Sequence, residues 1–437
     1  MSFPKYPEYK DSGVEWLGEV PAHWEVPRLK HLARIRNGRD YKDVEVETGG
    51  YPVIGSGGEF SRANSYLYKG ESVLLGRKGT IDKPLYINGP FWTVDTMFYT
   101  ELSSRVDGRF LFYYATCFRF DQYSTNTALP SMAQEDLANI QLAAPEPDEQ
   151  EHIATFLDQE TARIDALVEQ QQRLIELLKE KRQAVISHVV TKGLDPDVPM
   201  KDSGVEWLGQ VPAHWDILRL KNISPEITVG IVVEPSKYYV DDGVPALRSL
   251  NVQPGNVSTE KMVYISPEAN EMLAKSKLRS GDLVAVRSGQ PGTTAVVPDE
   301  LDGCNCIDLI IIRKPKFSCE KFLCWFFASD CAVRQFSEGS GGAIQQHFNI
   351  STAANIVVPI PVRSEQDRIA EYIDGEISKI DDLIATAECA IELLSERRSA
   401  LISAAVTGKI DVRGWQADQQ SEQPEVLMAA EARATYG

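Results

Sequence analysis

Apolar side chains recur every seven residues at Leu157, Ile164, Leu178 and Val185, and again at Ile373, Ile380, Leu394 and Leu401. This spacing, uninterrupted by proline, predicts two long helices with a narrow coiled-coil seam. Leu167 and Leu174 fill the half-step of the first. Asp148 and Ser364 stand where N-caps are expected, with Glu151 and Asp367 three residues on as in a capping box. Gly193 and Gly408 suit the C-terminal ends. A helix of about 40 residues spans roughly 60 Å. A narrow seam of that length needs a partner, and the chain supplies one. The stretch from Glu149 repeats from Glu365 without a gap, sharing its Glu-Gln opening, an Ile-Ala pair, an Ile-Asp pair at 164–165 and 380–381, and an Ile-Glu-Leu-Leu core.

Elsewhere the apolar runs are short and punctuated by glycine, as in sheets. In the first half they predict strands at 51–54, 72–75, 84–87, 91–94 and 97–100, then a helix over 108–120. In the second half they predict strands at Leu283–Val286, 294–297 and 307–312, then a helix over 320–336. A second repeat frames these segments. KDSGVEWLG at 10–18 recurs at 201–209, and VPAHW at 20–24 recurs at 211–215. The predicted order is a motif at 1–24, a head at 25–147, a long helix at 148–193 and the motif again at 194–215. A second head follows at 216–363, a second long helix at 364–411 and a polar tail at 412–437. His23 and His214 read as packing residues of the motif, because no nucleophile or carboxylate partner accompanies them at a recognisable spacing.

The heads share little sequence, yet Arg77 and Arg287 fall at parallel places, each after a strand that follows Gly-Glu or Gly-Asp. Connectors that stay fixed while interiors diverge suit two related modules that recognise two different things.

Composition narrows the picture. The 437 residues allow two or three domains. No apolar run is long enough to span a bilayer and the polar start is no signal peptide, which reads as a cytoplasmic chain. The seven cysteines are scattered in apolar contexts and lack zinc-site spacing, so no metal site is expected. The net charge of −18 argues superficially against nucleic acid, but the excess acid lies mostly in the long helices and tail. There is no Gly-x-x-x-x-Gly-Lys-Ser/Thr phosphate loop, no amino-methyltransferase motif and no nuclease carboxylate cluster. The expectation is a chain that does no covalent chemistry by itself.

Two unlike heads, each followed by a near-identical long helix opening on Glu-Gln-x-x-Ile-Ala, together with the repeated VPAHW motif, resemble the specificity subunit of type I restriction–modification systems. The resemblance covers all but the tail. It implies an α+β fold with two α/β target-recognition domains built on mixed twisted sheets. The domains are separated and joined by two long helices that form an antiparallel intramolecular coiled coil, and the whole is duplicated about a pseudo-twofold. It also implies that each domain reads one half of a bipartite site in double-stranded DNA while the helices act as a ruler. Two methyltransferase subunits would dock on the frame, with restriction subunits alongside. S-adenosylmethionine would sit in the methyltransferase subunits and ATP with Mg in the restriction subunits, with no cofactor bound by this chain.

Candidate DNA contacts are polar and basic residues in loops. Arg77, Lys78, Thr80 and Lys83, with Thr125, Asn126 and Thr127, serve the first head. Arg287, Ser288, Gln290 and Thr293, with Gln345, Gln346 and His347, serve the second. Arginine suits guanine and Asn or Gln suits adenine in the major groove, whereas lysine more often holds phosphate. The alternative is a coiled-coil scaffold whose two heads bind proteins. A third reading, an active site in each head, lacks the motifs it would need. Salt-sensitive, sequence-selective DNA binding separates the first reading from both.

Overall fold

The computed structural model describes residues 3–120, 130–290, 292–338 and 348–416. The chain forms two compact units, Met1–Gln171 with Cys389–Gly437, and Gln172–Glu388. The helices used below are α1 (Gly108–Ala115), α2 (Gln134–Asn139), α3 (Pro147–Lys192), α4 (Leu220–Ile223), α5 (Pro267–Met272), α6 (Glu320–Phe327), α7 (Asp330–Glu338), α8 (Ile350–Asn355) and α9 (Arg363–Val406). The two long helices predicted from the apolar repeat are α3 and α9.

Both start one residue earlier than predicted. Pro147 opens α3, where its missing N–H costs nothing and its fixed φ suits the first turn. Asp148 and Ser364 therefore lie inside the first turns. The capping carbonyls are those of Glu146 and Val362, which accept the amides of Glu149 and Gln150 and of Glu365 and Gln366. Gly193 and Gly408, at φ 81° and 72°, end the helices as expected. The half-step of the seam is also corrected. Leu167 and Leu174 are 40% and 39% exposed, while Ile164 and Ile175 are 4% and 9% exposed. Thr161, Val168, Ile175 and Arg182 alternate with Leu157, Ile164, Gln171, Leu178 and Val185 at spacings of three and four, and Leu167 and Leu174 fall one place outside that row.

Within each unit the start of one long helix lies beside the end of the other, so the pairing is antiparallel. In the first unit the Arg398 guanidinium donates to the Asp165 carboxylate at 2.9 Å. In the second, Arg182 pairs with Asp381 at 3.5 Å. These residues are equivalent in the repeat, so one bridge is the other's copy.

The head of the first unit is a mixed seven-stranded sheet in the order Ala33–Asn37, Met97–Leu102, Tyr68–Gly76, Leu85–Thr93, Tyr51–Gly55, Gly58–Ala63, Glu45–Val46. Its one parallel pair sets Val53 and Ile54 against Trp92 and Thr93. The two strands predicted at 84–87 and 91–94 are one. Gly89 opposes Gly70, both at positive φ, and this lets the strand run on through Pro90. The helix predicted over 108–120 stops at Ala115. Phe110 and Tyr114 bury α1 between the sheet residues Val73 and Phe98 and the helix residues Ile153 and Phe156.

The second unit has two four-stranded sheets. One is antiparallel: Ile227–Val229, Leu309–Ile312, Leu283–Val286, Thr294–Val296. The other runs Tyr239–Val240, Val263–Ile265, Val244–Leu247, Asn305–Cys306. It repeats the parallel pair of the first head, with Ala246 and Leu247 against Asn305 and Cys306. The single helix predicted over 320–336 is two, α6 and α7.

The repeated motif is a hairpin of the same register in both copies, Tyr9 opposite Pro21 and Met200 opposite Pro212. It ends in Trp24 and Trp215, both wholly buried. The Glu-Gln opening of each helix then has two separate duties. Glu149 and Glu365 each accept a hydrogen bond at 2.9 Å from a motif histidine, His23 or His214. The histidines thus gain a carboxylate partner that arrives from far along the sequence, and they tie motif to helix. The Tyr6 hydroxyl also donates to Glu149, and burial first, then that carboxylate, push the phenol's pKa well up. Gln150 and Gln366 are wholly buried. Gln150 accepts from the Asp107 amide and donates to the carbonyls of Arg105 and Pro145. Gln366 accepts from Ser318 and from the Cys319 amide and donates to the Pro361 carbonyl. Each glutamine locks a head to its helix by satisfying buried backbone groups that would otherwise be orphaned.

Candidate nucleic-acid interface

Arg77, Lys78, Thr80 and Lys83 lie in the hairpin loop between strands Tyr68–Gly76 and Leu85–Thr93. Arg287, Ser288, Gln290 and Thr293 lie in the equivalent loop between Leu283–Val286 and Thr294–Val296. The structure thus confirms a shared place for the two arginines that the sequence only hinted at. Lys78, Thr80, Lys83 and Gln290 are exposed, whereas Arg77, Arg287, Ser288 and Thr293 are half-buried. Thr125, Asn126, Thr127, Gln345, Gln346 and His347 lie outside the described residues.

The segments that follow those six residues are tied to the arginine loops. The Met132 amide donates to the Arg77 carbonyl at 2.9 Å, and the Phe348 amide to the Arg287 carbonyl at 3.1 Å. Lys78 and Ser131 form an isolated bridge, and the Gly79 amide donates to the Pro130 carbonyl. Two stretches separated by some fifty or sixty residues in sequence therefore meet at one place in each head.

Each guanidinium is partly held by the protein. Arg77 donates to the Asp95 carbonyl at 3.2 Å and its guanidinium carbon lies 5.9 Å from the centre of the Phe98 ring. Arg287 donates to the Phe348 carbonyl at 3.3 Å and to the Asp308 carboxylate. Asp95 and Asp308 both sit in the turn that leads from the parallel-paired strand into the next. A partly fixed guanidinium loses less freedom when it binds, which suits a bidentate contact.

Sequence reasoning missed a third segment that crosses beneath each loop. The Gly38 amide donates to the Met97 carbonyl, and the Gly230 amide to the Leu309 carbonyl. A Cβ on Gly38 would lie 2.0 Å from the Val94 oxygen, and one on Gly230 would lie 2.5 Å from the Cys306 oxygen. Only glycine permits that approach. The exposed Arg39 follows directly in the first head. The one signal was a glycine ending a short alternating run, in Asn37-Gly38-Arg39 and again in Val229-Gly230-Ile231.

Among the described residues no three His, Cys, Asp or Glu side chains are grouped as metal ligands, and no helix is long and apolar enough to cross a membrane. Burial raises the thiols of Cys304 and Cys324 to about 12 each, so both stay protonated at neutral pH.

If these two arginines contact bases, Arg77→Ala and Arg287→Ala are expected to weaken specific DNA binding by about 1–3 kcal/mol each and to relax discrimination within one half-site. Titration of cognate and single-substituted duplexes checks this. An equal loss on every sequence would reassign the arginine to phosphate.

Residues 21–177 match the family model of the type I restriction modification DNA specificity domain. The chain is 22% identical over 421 residues to the type I restriction enzyme MjaVIII specificity subunit of Methanocaldococcus jannaschii, covering 90% of this chain and 94% of that one. It is 21% identical over 435 residues to the EcoBI specificity subunit of Escherichia coli, covering 94% and 91%. Its fold is similar to a solved structure concerned with complex assembly and conformational transition of the type I R-M system, with TM-score 0.69 and 14% identity over 89% of this chain and 98% of that one. It is also similar to the HsdS subunit from Thermoanaerobacter tengcongensis, with TM-score 0.52 and 15% identity over 90% and 98%. The fold is a duplicated chain with two α/β heads. Part of its first half matches the type I restriction modification DNA specificity domain, and its similarity to the specificity subunits of such systems holds along nine tenths of its length.

Proposed function

We propose that this chain is the DNA-reading subunit of a type I restriction–modification complex. Each head reads one half of a bipartite, asymmetric site. The paired helices set the distance between the halves and dock two methyltransferase subunits. S-adenosylmethionine belongs to those subunits, and ATP with Mg to the restriction subunits. The chain itself is non-catalytic, and turnover of either compound by the purified chain alone would sink that part of the reading. One observation carries the proposal. A duplicated frame of hairpin, Trp, His–Glu pair and buried Gln holds two divergent heads, and each presents an arginine-bearing loop at the same structural place. Two equivalent mounts for unlike readers suit a two-part target with different halves.

The test is exchange of residues 25–145 for the matching head of a relative, followed by methylome sequencing of cells that also make the methyltransferase subunit. One half-site should change while the other stays. If both changed together, or neither did, the heads would not be independent readers.

A further inference from the structure

The two heads differ in what surrounds their equivalent arginines. In the first head the crossing segment continues from Gly38 into Arg39 and Asp40, both exposed. In the second it continues from Gly230 through buried Ile231 into Val232 and Val233, which are 49% and 67% exposed. Hydrogen bonds fix the correspondence. The Arg39 amide donates to the Thr93 carbonyl and the Ile231 amide to the Cys306 carbonyl, at the ends of equivalent strands. The Asp308 amide donates in turn to the Ile231 carbonyl, and the Asp308 carboxylate holds Arg287. Val232 therefore follows directly on the residue bonded to the arginine's own partner.

The backbone here is constrained. Glu234 and Asp308 have φ of 42° and 52°, a conformation that L side chains adopt at some cost. Nearby, Val229 and the partly exposed Ile350 line a shallow cleft with Arg287. Adjacent aliphatic side chains left in water forgo the stabilisation that burial would bring. In the major groove an apolar side chain has a specific counterpart, the C5-methyl of thymine, which marks an A·T pair and its orientation.

We propose that Val232 and Val233 read thymine methyl groups in the half-site taken by the second head, beside the base pair read by Arg287. This rests on the DNA-reading function proposed above. The first head has Asp40 and Tyr41 at that place, and Tyr41 packs edge-on against Phe60, so its crossing segment presents no aliphatic pair.

The experiment uses the chain assembled with its methyltransferase subunits. Duplexes carry deoxyuridine in place of each thymine of one half-site, on either strand, and the head exchange assigns the half-sites. At one or more positions in the second half-site, loss of the methyl should weaken binding about fourfold. The double variant Val232→Ser/Val233→Ser should bind thymine and uracil duplexes there equally, and Val232→Ile/Val233→Ile should keep the preference. Both positions are exposed, and the parent comparison needs no variant. Equal binding of thymine and uracil duplexes by the parent overturns the inference, as does a preference that persists in the serine variant. If sequence-specific binding remains in either case, only this inference falls. If no sequence-specific binding is found at all, the functional reading falls with it.

Discussion

Deleting residues 168–174 together with 384–390 is expected to shorten the spacer of the methylated site by about three base pairs and to leave both half-sites unchanged. Each deletion removes one heptad, about 10 Å of helix, and keeps the seam in phase. The reciprocal ion pairs show why both deletions are needed. Arg182 lies seventeen positions after Asp165, and Arg398 seventeen positions after Asp381. Arg398 pairs with Asp165 and Arg182 with Asp381, so the pairs can form together only if the intervening lengths match. The double deletion leaves an offset of ten positions in each helix and preserves both pairs, whereas a single deletion must sacrifice one. About 10 Å corresponds to roughly three base pairs at ~3.4 Å each. With about 10 base pairs per turn, the half-sites also rotate by about a quarter turn or more relative to each other. Overall methylation should therefore fall. Methylome sequencing reads the direction, and an active variant that keeps the parent spacer would mean that something other than these helices measures the distance.

The second large effect is on stability. Trp24→Ala and Trp215→Ala should each cost about 3–5 kcal/mol, because both side chains are wholly buried where hairpin, head and helix ends meet. Phenylalanine separates the two sites. The Trp24 indole N–H donates to Glu149 at 3.2 Å, whereas the Trp215 N–H has no partner among the described residues. Trp24→Phe removes a hydrogen bond to a carboxylate and should cost about 1.5–3 kcal/mol more than Trp215→Phe, which also relieves a buried, unsatisfied donor. Urea unfolding of the four variants measures the differences. Equal costs for the two phenylalanine variants would mean that the indole N–H of Trp24 contributes nothing.

The long helices were legible because a seam periodicity sustained over forty residues has no other common explanation, and because the chain states it twice. Their details were less legible. Leu167 and Leu174 are larger than Val168 and Thr161, so composition drew the half-step to them, although the three-and-four spacing of the seam runs through the smaller residues. The duties of the Glu-Gln opening were also hidden. Glu149 and Gln150 are adjacent in sequence but point to different partners, one to the motif and one to the head. Short strands were found where an apolar run stood between glycines. They were missed where the alternation was mixed with charge, as in Ala33–Asn37. The site was half legible. Arg77 and Arg287 stood at parallel places in two divergent sequences, but nothing local linked them to Asp95 and Asp308, or to the glycines at 38 and 230.

By itself the sequence determined the duplicated order, the helix pair, the fixed frame around two unlike heads and the loops that carry cationic and amide side chains. Repeats and periodicities are properties of the chain read along its length, and they survive without a fold. Tertiary structure alone decided which loops meet, which groups hold each guanidinium, and that Val232 and Val233 stand where the first head has Asp40 and Tyr41. Those relations depend on strand pairing between residues tens of positions apart. The physical reason they escape the sequence is that a backbone hydrogen bond, such as those from Ile231 and Asp308, depends on no particular side chain and so leaves almost no mark on composition.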